Sequence, residues 1–129
     1  QPIEEVFDNG ERPVNIDATN VVWLGNTETN SIAPQSSAQI SYLLADGAYK
    51  SLFIKFPKTT GIIKTTGSVF HAVVISGELN YKMPQDGQIS LLDAGSYFGA
   101  TDEAIHTVEN MKEDDVILYI RTNGDVRVQ

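Results

Sequence analysis

The chain has 129 residues, 41% hydrophobic and 20% charged, which is enough for one domain with a real core and too apolar for a disordered chain. A formal net charge of −8, with nine basic residues scattered singly, argues against an electrostatic grip on nucleic acid or anionic lipid. No apolar run approaches the ~20 residues that a membrane helix needs, so neither nucleic acid nor membrane is an expected partner.

Cysteine is absent, which removes disulfides, thiolate metal ligands and thiol catalysis together and leaves the redox compartment open. The chain starts Gln1-Pro2 without an initiator Met. Such a start suits an exported, periplasmic-type chain after removal of a signal peptide, or equally a trimmed one.

Residues 1–19 mix Pro2, Gly10 and Pro13 with several acids and show no sustained period, so they read as an N-terminal arm preceding a domain over residues 20–129. Residues 20–25, Asn-Val-Val-Trp-Leu-Gly, have strand composition, and residues 26–37 read as a loop. Strands follow in quick succession at residues 38–44 and 48–56, around the hairpin signal Asp46-Gly47, and then at 61–66. Residues 69–76 and 78–83 read as a hairpin pivoting on Gly77, rich in stiff β-branched side chains. Residues 84–87, Pro-Gln-Asp-Gly, turn the chain into a strand at 89–92. Shorter strands at 96–98 and 106–109 precede a long one at 115–122, and Asn123-Gly124 leads into 126–128. No stretch has a convincing 3.6 period, and strands at this spacing predict an all-β sandwich or barrel.

Gly95, Thr101, Glu103, His106 and Asn110 stand in an order that carries more information, with ten residues between Gly95 and His106 and three between His106 and Asn110. This spacing resembles the second motif of the cupins, which runs Gly, five residues, Pro-x-Gly, two residues, His, three residues, Asn. Their first motif runs Gly, five residues, His-x-His, three or four residues, Glu, six residues, Gly, and Gly77 falls at its end. The run Val73-Val74-Ile75-Ser76-Gly77-Glu78-Leu79 resembles the hydrophobic stretch that follows its acidic residue. With Lys55-Phe56-Pro57, Gly95-Ser96-Tyr97-Phe98, Leu118-Tyr119-Ile120-Arg121 and an early tryptophan, the chain is most similar to the cupin group that holds acetylacetone-cleaving enzymes and the cupin of certain anti-sigma factors. The resemblance implies a single-domain, RmlC-like double-stranded β-helix, a jelly-roll barrel.

It also implies a metal site from which this chain departs. Counting back from Gly77 puts Lys64 and Thr66 at the His-x-His positions and Phe70, or Val69, at the acidic one. Only His106 is retained, and one imidazole does not hold zinc, iron or manganese, so no cofactor is expected. A divalent metal enters only if the chain is an enzyme with a rearranged ligand set.

His106 should point into the barrel, as a former ligand reused as acid, base or hydrogen-bond donor, or as a histidine satisfied by a neighbour. Lys64, if inward, replaces the metal's charge and suits an anionic ligand or an ion pair with Asp102 or Glu103; otherwise it snorkels into water. Alternation puts His71 on the face opposite Phe70, Ala72 and Val74 unless a bulge turns it inward. Phe70, Thr66, Tyr97 and Arg121 are further pocket candidates, and Phe53, Tyr81, Phe98 and Tyr119 are core, interface or cage aromatics. Asp102-Glu103 and Glu113-Asp114-Asp115 read as solvated turns, since neighbouring acids on one strand or loop diverge.

Keeping the barrel while losing its metal ligands points to a small-molecule binding or sensing module, with catalytic turnover open. The alternatives are a cupin oxygenase, hydrolase or isomerase working through His106, and a structural homodimer.

Overall fold

The computed structural model describes residues 21–82 and 87–129. The arm expected over residues 1–19 lies outside the described residues, as do Asn20 and residues 83–86. Ten strands follow in chain order: β1 (Gln39–Asp46), β2 (Tyr49–Phe56), β3 (Thr59–Thr65), β4 (Phe70–Ser76), β5 (Leu79–Lys82), β6 (Ile89–Leu92), β7 (Tyr97–Ala100), β8 (Ala104–Asn110), β9 (Val116–Thr122) and β10 (Val126–Val128). They form two five-stranded antiparallel sheets, one ordered β1-β2-β9-β4-β7 and the other β10-β3-β8-β5-β6. Among the described residues there is no helix, and the fold is an all-β jelly roll.

The alternation of the strands builds the space between the sheets. In β2 the buried Leu52, Ile54 and Phe56 point inward, while Ser51, Phe53 and Lys55 face outward. The same period on β4 turns Phe70, Ala72 and Val74 inward and leaves His71 exposed beside Arg121 and Gly99. From the second sheet come Ile63 on β3, Leu79 and Tyr81 on β5, and His106 and Val108 on β8. Such a core removes from water the apolar area that drives folding.

Gly77 does not turn a hairpin. β4 pairs with β9 and β7 in the first sheet, whereas β5 pairs with β6 and β8 in the second, so the chain crosses between sheets at this glycine. Its φ of 88° suits glycine alone, and a Cβ there would stand 2.7 Å from the carbonyl oxygen of Asp115. Residues 20–25 also differ from expectation. Among the described ones only Leu24 is bridged to another strand, at Ile40, and Trp23 lies on the outer face of the first sheet. Its ring stacks 6.1 Å from that of Phe53, with the Lys55 ammonium 4.2 Å from the indole centroid.

Asn110, the last residue of the second motif, is a structural clamp. Its Nδ2 donates to the carbonyls of Phe56 and Asp114 at 3.2 and 2.9 Å, and its Oδ1 accepts from the Lys112 N–H at 3.0 Å. The bonds tie the end of β2 to the turn between β8 and β9. The carboxylates of residues 113–115 stay exposed, as solvated turn residues should.

Candidate functional site

The inward positions that match the metal motif are Ile63, Thr65, Phe70 and His106, all 0–1% exposed. Ile63 stands opposite His106 across the β3–β8 ladder, and Thr65 stands opposite Ala104, so Thr65 and His106 are diagonal neighbours on one inner face. Lys64 and Thr66, which the shorter gap puts at the His-x-His positions, are exposed and one residue out of phase, so Lys64 takes the outward of its two alternatives. The variable gap in the first motif is the reason: four residues, not three, separate Thr65 from Phe70. A lysine near the end of a strand in a two-sheet barrel carries the same signal, since its ammonium keeps water only on the outer face.

His106 lies in a cage of rings. Phe70 stacks on it at 4.9 Å between centroids and Phe98 tilts against it at 5.4 Å, while Tyr81 stacks on Phe98 at 4.3 Å. The Tyr81 hydroxyl is 2.9 Å from His106 Nδ1. Burial pushes the tyrosine pKa up and lowers that of the imidazole to about 4, so both are neutral near pH 7. In this bond the hydroxyl donates when the ring proton sits on Nε2 and accepts when it sits on Nδ1. His106 Nε2 is buried without a partner, and so is Thr65 Oγ1.

These residues do not fit a divalent metal. One neutral imidazole and one hydroxyl face an isoleucine and a phenylalanine where the motif has imidazoles and a carboxylate. Among the described residues no group of three or more His, Asp or Glu is placed to hold an ion.

In front of the cage a cleft of about 1220 Å³ opens at the barrel mouth, floored by Thr65, Tyr81 and Phe98. Lys64, Thr66 and Tyr97 line its outer part, together with Asp102, Glu103 and Arg127. The structure thus brings Lys64, Thr66 and Tyr97 to one cleft and places Phe70 and His106 behind its floor. Arg121 is elsewhere: its guanidinium lies 4.7 Å from the Tyr49 ring centroid, on the outer face of the first sheet. Thr65, missed in sequence, was masked by the ambiguous alternation of Gly61-Ile62-Ile63-Lys64-Thr65-Thr66, in which either phase buries one isoleucine.

Two antiparallel sheets enclosing the inward His106 make a cupin-type fold, which the chain shares with solved structures. An RmlC-like cupin from Shewanella frigidimarina superposes with a TM-score of 0.62 at 17% identity, over 82% of this chain and 86% of that one. The polyketide cyclase RemF of Streptomyces resistomycificus gives 0.64 at 12% identity over 88% and 83%. The cupin domain of Schizosaccharomyces pombe Cnp3 gives 0.63 at 12% over 85% and 73%. The likeness extends to the cupin fold and does not single out a group within it. The chain belongs to the family described as a domain of unknown function, DUF4437, which matches residues 1–129. No curated protein matches it in sequence.

Proposed function

We propose that this cupin is a metal-free small-molecule binding module whose ligand sits in the cleft at the barrel mouth. One observation carries the reading: the cleft is floored by side chains of β3, β5 and β7, directly before an inward histidine whose former co-ligand positions hold Ile63, Thr65 and Phe70. Concave sites with few, well-placed polar groups are the usual form of small-molecule pockets. The floor carries two hydroxyl-bearing side chains, Thr65 and Tyr81, with a neutral imidazole directly behind it, a set suited to recognition. An imidazole with a pKa of about 4 is a poor general base near neutrality. Screening a library of neutral small molecules against the 15N-labelled protein tests the reading. Saturable amide shifts confined to Thr65, Thr66, Tyr97 and Phe98 support it, and no saturable shift at the cleft refutes it.

A second reading, assembly as a homodimer, has its own observation. The segment before β1 bridges one pair of sheet edges, Leu24 to Ile40 and Ile32 to Val128. Among the described residues β6 and β7 have no outer neighbour, and they expose Ile89 at 68%, Leu91 at 63% and Tyr97 at 78%. β6 carries no charge, so two copies related by a two-fold axis can pair it edge to edge.

A further inference from the structure

We infer that Thr65 Oγ1 and His106 Nε2 together recognise a neutral carbonyl oxygen, that of an amide, lactam, ester or ketone, at the tip of the molecule that the cleft takes. The inference rests on the binding reading above and names the chemistry that the site selects.

An unmade hydrogen bond in a protein interior is expensive, and these are the two buried side-chain polar atoms among the described residues that have no partner. They stand on adjacent strands at diagonal positions of one inner face. In the tautomer in which Nδ1 accepts from Tyr81, Nε2 presents an N–H, and the threonine hydroxyl has an O–H of its own to give. Two such donors on one face suit one atom with two lone pairs, which a carbonyl oxygen has.

The surroundings discriminate among oxygens. A water accepting from Nε2–H needs acceptors for its own hydrogens, and the Phe70 and Phe98 rings against the imidazole offer none. A carboxylate brings a charge into an aromatic cage with no cation at its floor, since Lys64 points to the other face of its strand. A neutral carbonyl pays neither cost. Phe98 both lines the cleft and lies against the imidazole, on a strand that pairs on one side only, so a ligand in the cleft reaches Nε2 past this ring.

The test uses 2-pyrrolidinone as a neutral lactam probe and propionate as its charged counterpart, titrated against 15N-histidine-labelled protein. The His106 Nε2 resonance is expected to shift saturably with the lactam. Binding is expected to be about tenfold weaker in Thr65→Val, and about tenfold weaker or worse for propionate. Equal affinity for propionate, an unchanged affinity in Thr65→Val, or an Nε2–H in contact only with an ordered water that the lactam does not displace overturns the inference. Saturable shifts at Tyr97 and Lys64 without a response at Nε2 overturn the pair's role and leave the cleft reading standing. A lactam that shifts none of these signals, together with a library that shifts nothing at the cleft, overturns both.

Discussion

Tyr81 and His106 share a buried hydrogen bond of 2.9 Å between adjacent strands, the tyrosine standing opposite Val108 and the imidazole two residues back along β8. With the tyrosine donating to Nδ1, the imidazole is a neutral donor at Nε2, and its diagonal neighbour is the Thr65 hydroxyl.

Removing that hydroxyl separates stability from binding. Thr65→Val keeps the side-chain shape and deletes a buried group without a partner, so the unliganded protein should gain about 1 kcal/mol. A higher urea midpoint at unchanged slope is the expected outcome. A loss of stability would mean that the hydroxyl is already satisfied.

Acid should destabilise the fold through His106. Its folded pKa of about 4 lies below the ordinary imidazole value of 6.5, so between these values the unfolded chain binds the extra proton and stability rises with pH. The contribution is complete above about pH 6.5, declines as pH falls, and is gone below about 4, a span of about 3 kcal/mol. His106→Gln should flatten that part of the pH profile in urea unfolding. An unchanged slope between pH 6.5 and 4 would place its origin elsewhere.

The register of β3 can be tested by building the motif's metal site into it. Ile63→His, Thr65→His and Phe70→Glu, combined with the native His106, put three imidazoles and a carboxylate on the inner face. This variant should bind zinc or nickel at one equivalent per chain and show a chelator-sensitive melting temperature. The same exchange at Lys64, Thr66 and Phe70 should not, because those first two side chains face outward. Elemental analysis after dialysis distinguishes the pair.

If β6 pairs with its copy, Leu91→Lys sets like charges side by side across the two-fold axis. Analytical ultracentrifugation should then show a dimer whose dissociation constant rises at least about tenfold in the variant. A wild-type chain that stays monomeric at high concentration, or a dimer indifferent to the change, contradicts the homodimer reading.

Much of the architecture was legible because turns and strands are local. Asp46-Gly47 reads as a turn and Gly47 has the positive φ that it needs, at 63°. Alternation put His71 outside, where it lies, and the motif spacing turned His106 inward. Partner choice is not local. The sequence around Gly77 signals a reversal, but whether β5 pairs with β4 or crosses to β8 depends on strands far along the chain. The His-x-His positions fall one residue late, at Lys64 and Thr66, because the motif allows two gaps, and Trp23 reads as part of a strand because its partners Phe53 and Lys55 are about thirty residues away. The unpartnered atoms of Thr65 and His106 are invisible to any pattern, since they are defined by what surrounds them.

The most direct test of the account is elemental analysis of the native chain purified without chelator, beside His106→Ala. A metal-free cupin predicts far less than one equivalent of zinc, iron, manganese or nickel in both proteins. One equivalent in the native chain that disappears in the variant would contradict it.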